Sequence, residues 1–359
     1  MKRMQHPEIF AYKPIEKSYH KETTLLVTSL SELINLSKKI ESPLVQEIKP
    51  YIAFSLKWKF DYLAKTGESP FTLQRDVDYW LDFLGSLKEL SKQNWFSLKK
   101  TQNAADPWNR TRKAFNFMWP KNTDTQKQFE LSAKMVELRV QQIVSMMPTG
   151  WLRNKAVLDA GCGPARYLRA FSRYSPKSLI GIDSGKDIIK RNKKRFPSFD
   201  FFVRRVDNTR FRNASYDFVI SAGVIHHLKT PLAKTIAEHA RILKKDGYFF
   251  LFTVGQGGLE LKMWEFVRNF LYDVNIEDMF SRFNGKISAL RLQGLLDHSY
   301  GEYQQISRGN CEKILNKYFR QVVRVPGVVG LDVTPEIYRD DLYFSYRFGT
   351  GNLRYLCKK

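Results

Sequence analysis

Apolar positions recur at helical spacing twice before residue 90. In KETTLLVTSLSELINLSKKI (21–40), Leu26, Leu30, Leu33, Ile34 and Ile40 fall near one face, and in VDYWLDFLGSLKEL Val77, Trp80, Leu81, Leu84 and Leu87 do the same. Both stretches are predicted as amphipathic helices with one buried side. Pro43, Pro50 and Pro70 punctuate the region, and TQNAADPWNRT (101–111) is polar and loop-like. A boundary is therefore expected between 101 and 124. It separates a helical N-terminal domain over 1–120 from a second domain over 121–359.

A further helix is expected from about Thr125 to Met147, after which the periodicity changes. AVLDA, SLIGID, FDFFVRRV, YDFVIS and GYFFLFTV are apolar or β-rich runs, separated by helical stretches such as LRAFSR, KDIIKRNKKR and PLAKTIAEHARILKK. Strands alternating with helices imply right-handed crossovers and a mostly parallel sheet covered on both faces. Phe201 and Phe202 are accordingly expected in the core of the third strand. Ligands of such sheets sit beyond the carboxyl ends of the strands, where strand order reverses. After Val254 the alternation lapses into LELKMWEFVRNFLYDV and KISALRLQGLLDH, a predicted helical insert over 255–303. Leaving the sheet at its carboxyl edge, it is placed to act as a lid, with Trp264, Phe266, Phe270 and Leu271 as apolar walls. NCEKILNKYF then reads as a helix, followed by β-rich RQVVRV and finally LRYLCKK.

The junction of the first strand and helix, VLDAGCGPAR (157–166), carries Gly161 and Gly163, which let backbone turn sharply and approach a ligand closely. A dinucleotide fingerprint needs glycine at 166, where Arg166 stands after Pro164, and no GKS or GKT follows. NAD, FAD and P-loop nucleotides are thereby disfavoured. Asp183 ends the next strand in LIGID, where a carboxylate can accept both hydroxyls of a ribose. Asp207 follows in VRRVDN and can accept from an adenine amino group. A single strand-end acid is as readily a helix cap, as Asp183 before Ser184 can be. A glycine turn and two acids in order on three successive strands point instead to an adenosyl ligand.

As a set, VLDAGCGPA, LIGID, VRRVDN, YDFVISAGVIHHL and RILKKDGYFFLF resemble the ordered motifs of class I S-adenosylmethionine-dependent methyltransferases, particularly the bacterial type 11 group that includes quinone-biosynthesis enzymes. The resemblance covers about residues 125–255. It implies an α/β fold with a Rossmann-like, seven-stranded, mostly parallel sheet and helices on both faces. It also implies S-adenosylmethionine as cofactor; no metal is expected, because the cysteines lack CxxC spacing and adjacent histidines are unsuited to a two-histidine site. Carried over residue by residue, it puts Asp159, Gly161 and Gly163 beside the methionine part, Asp183 on the ribose, and Asp207 with Asn208 on the adenine. Ser221 and Ala222, ending the fourth strand, fall near the methionine amine. One departure is Ala165, standing where the family usually has a third glycine.

Methyl transfer is an in-line displacement, and a base is needed only if the acceptor arrives protonated. His226 and His227, in GVIHHL, follow the fourth strand at the mouth where an acceptor should lie. Adjacent residues do not share a helix face, so one of them at most is expected to face the pocket. His227 corresponds to a position that is often His in the family and is the candidate general base; the alternative is a packing histidine that orients the loop. The Asn/Asp-Pro-Pro-aromatic motif of many amino-group methyltransferases is absent, as is a cysteine beside proline of the cytosine-C5 type. The leading expectation is therefore O-methylation of a small or medium-sized metabolite.

Charge adds a competing possibility. Residues 151–250 hold 21 Lys+Arg against 8 Asp+Glu, an excess of 13 in a chain whose formal charge is +23. KRNKKR (190–195), Arg204, Arg205, Arg210 and Arg212 form a basic band. Such a band is either a solvated helix face, the favoured view, or a surface for RNA or anionic membrane. An RNA-modifying methyltransferase using 190–212 is thus the first alternative and a non-catalytic cofactor-binding protein the second; intact acids at 159, 183 and 207 speak against the latter. Trp58, Trp80 and Trp95 read as helical core, in a domain that covers the active site or mediates homodimerisation. No apolar run is long enough to span a bilayer and MKRMQHPEIF has no signal-peptide core. With Cys162, Cys311 and Cys357 outside any CxxC spacing, the chain is expected to be cytoplasmic with reduced thiols.

Overall fold

The computed structural model describes residues 18–40, 42–66, 68–91, 107–118, 123–287, 289–327 and 347–359. Trp95 and part of the expected boundary, 101–106 and 119–122, lie outside them. Four helices come first: α1 (Ser18–Lys39), α2 (Pro43–Thr66), α3 (Gln74–Ser91) and α4 (Pro107–Met118). A fifth, α5 (Thr123–Ser145), leads into the sheet. Strands and helices then alternate: β1 (Ala156–Ala160), α6 (Arg166–Phe171), β2 (Ser178–Asp183), α7 (Lys186–Arg195), β3 (Asp200–Val203), β4 (Tyr216–Ala222), α8 (Leu232–Ile242) and β5 (Leu243–Val254). The insert supplies α9 (Leu259–Phe270), α10 (Ile276–Phe283) and α11 (Ala289–Tyr300), and α12 (Arg308–Leu315), β6 (Gln321–Arg324) and β7 (Asn352–Lys358) complete the order.

The seven strands form one sheet in the order β3-β2-β1-β4-β5-β7-β6. β1 to β5 run parallel, while β7 is antiparallel to both β5 and β6. The chain steps outward from β1 to β3, then returns to the other side of β1 for β4, so the order reverses between β1 and β4. Loops leaving the carboxyl ends of those two strands must diverge, and the crevice between them is the ligand position of open α/β sheets.

The apolar run of β5 explains the layers. Successive side chains of a strand point to opposite faces. Phe250 joins α5, α6 and α7 residues on one side, whereas Phe249 and Leu251 join α8 and α12 residues on the other. A strand buried on both faces reads as continuous hydrophobe, as GYFFLFTV does. β3 differs because it is the sheet edge. Phe201 is buried, but Phe202 and Val203 are 39% and 46% exposed, correcting the expectation that both phenylalanines lie in the core.

A third core contains no strand. Leu26, Leu33, Phe60 and Val77 of the N-terminal helices share it with Phe270 and Met279 of the insert. α9 packs on α1 and α2, and α11 on α4. The insert and the N-terminal helices are thus one helical cap, although 140 residues (119–258) separate α4 from α9 in sequence. Buried ion pairs stitch it: Lys49 Nζ lies 2.8 Å from Asp273 Oδ1, and Lys57 Nζ lies 2.8 Å from Glu260 Oε1 and 4.4 Å from the Trp264 ring centre. Such pairs add little net stability over apolar replacements, but an unmatched member is strongly destabilising, so they fix which helix faces meet.

Candidate functional site

The crevice begins at the turn after β1. Gly161 has φ 89° and a side chain there would meet Val224 at 2.5 Å, so the position needs glycine on two counts. Its N–H and that of Cys162 both donate to the Ile182 carbonyl, at 2.8 and 2.9 Å, which ties the turn to the end of β2. Ala165 has φ 60°, a left-handed conformation in which an L side chain costs about 1 kcal/mol. That is the physical reason for a glycine at the equivalent family position, and here the buried methyl is accommodated with that strain.

Asp159 is buried near the end of β1, and its Oδ2 has no hydrogen-bond partner among the described residues. Burial first, and the nearby Asp183 second, push its carboxyl up to about 8, with Arg166 working in the opposite direction. An orphaned buried acceptor at this point fits a ligand that brings its own cationic donor. Asp183 accepts from the N–H of Gly163 (3.1 Å, Oδ2) and of Gly185 (2.9 Å, Oδ1). It therefore braces two backbone turns, and each oxygen keeps a second lone pair that can accept a ligand hydroxyl.

Asp207 follows β3. Arg205 donates to both of its oxygens, Nε at 2.8 Å and Nη2 at 2.5 Å, and the Thr230 hydroxyl donates to Oδ2 as well. The Arg205 bond, chiefly, holds this carboxyl below the usual carboxylate range. Asn208 is exposed beside it, its N–H 3.4 Å from the Arg205 carbonyl. At the end of β4, Ser221 is buried with its hydroxyl directed at the Ala160 carbonyl (3.4 Å), and Ala222 leads into Gly223, whose N–H donates to Phe252. The described geometry thus brings Asp159, Gly161, Gly163, Asp183, Ser221 and Ala222 to the β1–β4 crevice, with Asp207 and Asn208 flanking it on the β3 side.

The sequence reading missed Asn192. It sits in KRNKKR, yet it is buried on the inner face of α7 with Ile188 and Ile189, and its Nδ2 donates 2.7 Å to the Gly163 carbonyl. The signal was available in its spacing: a polar residue three and four places after core-facing isoleucines, inside an otherwise charged run, is placed on the buried face.

Both histidines occupy the short helical turn Ile225–His227, and both are enclosed. His226 is 3% exposed, with burial, reinforced by His227 and His298, holding its imidazole well below the usual range. The His227 Nδ1–H donates to the Glu302 carbonyl at 2.8 Å, and Nε2 lies 3.9 Å from Asp297 Oδ1. Burial brings this ring down to about 4, so it is neutral near pH 7. Phe115 and Tyr303 pack on it at 4.9 and 4.6 Å between ring centres. The turn is laced to the insert, since the Gln304 N–H donates to the His226 carbonyl and its side-chain amide to Leu228 and Thr230.

A crevice at a β1–β4 switch point, lined by a glycine turn and strand-end acids, defines a class I S-adenosylmethionine-dependent methyltransferase domain. Residues 158–251 match the family described as Methyltransferase domain, and the chain carries such a domain. Curated relatives include a tRNA U34 carboxymethyltransferase of Helicobacter acinonychis (strain Sheeba), 32% identical over 111 residues, covering 29% of this chain and 42% of that protein. The same-named protein of Campylobacter fetus subsp. fetus is 26% identical over 139 residues, covering 35% and 47%. The chain spans less than half the length of these relatives. Among solved structures, magnesium protoporphyrin IX methyltransferase from Synechocystis PCC 6803 with bound SAM aligns over 72% of this chain and all of its own, at 14% identity and a TM-score of 0.41. Among the described residues, no helix is long and apolar enough to cross a membrane.

Proposed function

We propose that this chain transfers an alkyl group from a sulfonium donor of the S-adenosylmethionine type to an RNA. The observation that carries the reading is a cationic surface wrapped round the β3 edge. On one side Lys190, Lys193 and Lys194 are exposed on α7; on the other, Arg210 and Arg212 are exposed in the loop before β4. On the side of Arg210 and Arg212, the half-exposed Phe202 lies 6.2 Å from the Phe211 ring and 5.1 Å from the Arg204 guanidinium, an aromatic face beside cations of the kind on which bases stack. The surface borders Asp207, so an RNA held there reaches the crevice from its adenine end. The names of the curated relatives favour the same acceptor class.

O-methylation of a small metabolite with His227 as base, the leading expectation from sequence, has less support. Only 9% of the His227 side chain is exposed, and its ring is packed between Phe115 and Tyr303. In the proposed complex Asp183 accepts from the ribose, and Asp159 from the cationic amino group of the methionine part. Bound there, the donor supplies an electrophilic carbon on a sulfonium; the chain holds and orients it. The experiment is a titration of fluorescent bulk tRNA. Binding that weakens steeply as salt rises supports the proposal, and no binding even at low salt contradicts it.

The Asp159 assignment has a pH consequence. Below about pH 8 its carboxyl is protonated in the free protein, and a cation placed beside it favours the ionised form. Binding must then expel a proton, and affinity should climb with pH and level off above about 8. Calorimetry at pH 7 in buffers of different ionisation enthalpy should show roughly one proton released per S-adenosylmethionine bound. Heats that ignore the buffer would remove Asp159 from the contact.

A further inference from the structure

The insert brings a carboxylate to the crevice that none of the sequence motifs marks. Asp297 lies on α11, and its Oδ1 faces His227 Nε2 across 3.9 Å and accepts from the Tyr303 hydroxyl at 3.3 Å. That hydroxyl is held in turn by His298 Nδ1 at 2.8 Å, and the His298 ring is stacked on Trp264 with centres 4.4 Å apart. A consistent set of donors runs one way: the His298 Nδ1–H to Tyr303 Oη, and the Tyr303 O–H to Asp297. Across the crevice stands Arg166, the first residue of α6, whose charge acts on both Asp159 and Asp297. Asp297 therefore approaches the turn that follows β4 and lies within the field of Arg166, which follows the loop leaving β1.

Accessibility separates Asp297 from its neighbours. Its side chain is 32% exposed, against 9% for His227, and His226 is 3% exposed. Among these three groups it is the most exposed. Resting on the alkyl-transfer reading above, we propose that Asp297 is the group that takes the acceptor's proton, with Tyr303 and His298 as positioning residues. As the acceptor atom X bonds to the transferred carbon, the carbon–sulfur bond breaks and sulfur keeps the electron pair; the X–H proton passes to the Asp297 carboxylate. The positive charge of the sulfonium and the negative charge of the carboxylate are both discharged in the step, so the products are a thioether, the alkylated acceptor and a neutral acid.

The surroundings suit that role. Partial burial pushes the Asp297 carboxyl up to about 6, against the opposing pull of the Tyr303 bond and Arg166. It is then ionised at pH 7 yet more basic than an ordinary aspartate, which is where a general base works best. The other charged neighbours are Arg268 of α9, whose guanidinium lies 5.4 Å from the Tyr303 ring centre, and Glu302, which pairs with Arg268 at 3.7 Å. His227 and His298 are both held neutral by burial, at about 4 and about 3.

Two measurements on the full chain test this, one of them free of any acceptor. In infrared titration of the ligand-free chain, a protonated-carboxyl band absent from Asp297→Asn should disappear with a midpoint near pH 6. A band that titrates near the ordinary aspartate value of about 4 overturns the proposal. In transfer assays with bulk tRNA, Asp297→Asn should lower kcat by roughly 10²–10⁴, with KM and S-adenosylhomocysteine affinity retained. Asp297→Glu should restore part of the rate, and Tyr303→Phe should move the acidic limb of the pH profile. Retained turnover in Asp297→Asn overturns the assignment. If the wild type labels a small hydroxylated acceptor and no RNA, the RNA proposal falls alone, and the same comparison on that acceptor decides Asp297.

Discussion

Replacing Lys190, Lys193, Lys194, Arg210 and Arg212 together by glutamine should weaken tRNA binding by about a hundred- to a thousandfold at moderate salt. A phosphate that is no longer neutralised by a side chain keeps its counterions, and their release drops out of the binding equilibrium. For five phosphates the slope of log K against log salt should become shallower by roughly 3.5 to 4.5. The five side chains are exposed, so S-adenosylhomocysteine affinity and the melting temperature should not change. Fluorescence anisotropy across a salt series reads both quantities. A variant that binds tRNA like the wild type, with the same slope, would return the basic band to a solvated helix face.

Asp183→Ala should lower affinity for S-adenosylhomocysteine at least ten- to a hundredfold. Loss of charge-assisted hydrogen bonds to the ribose corresponds to about 1.5 to 3 kcal/mol. The structure adds a second contribution, because the same carboxylate accepts from the Gly163 and Gly185 N–H groups and so shapes the turn that meets the ligand. Isothermal titration calorimetry is the measurement. Asp183→Asn, which keeps acceptor oxygen for one of these donors, should fall between the two. Unchanged affinity in Asp183→Ala would mean that the adenosyl group lies elsewhere.

Much of the sheet domain was legible because its signals are local. Continuous hydrophobe such as GYFFLFTV marks a strand covered on both faces, and glycine at 161 marks a backbone that a side chain would block. What was hidden depends on partners distant in sequence. The stripe of Leu26 and Leu33 says that a helix face is buried, but not that Phe270 and Met279 cover it. FDFFVRRV reads like an internal strand, whereas β3 has a neighbour on one side only, which leaves Phe202 exposed. The approach of Asp297 to His227, 70 positions apart, belongs to the same class. The histidine pair shows the limit most clearly. GVIHHL placed both rings at the mouth, but their enclosure is contributed by Phe115 from α4 and by Glu302 and Tyr303 from the end of the insert.

The acceptor is tested most directly by label transfer. The purified chain is incubated with S-adenosylmethionine labelled in the methyl group and with bulk tRNA from cells lacking this gene, and the nucleosides are then separated by liquid chromatography and mass spectrometry. Label in a single modified nucleoside, removed from the acid-insoluble fraction by nuclease and lost with Asp183→Ala, is the expected result. An enzyme that binds S-adenosylmethionine and alkylates a small hydroxylated acceptor, while leaving every nucleoside of the tRNA unlabelled, would contradict the proposal.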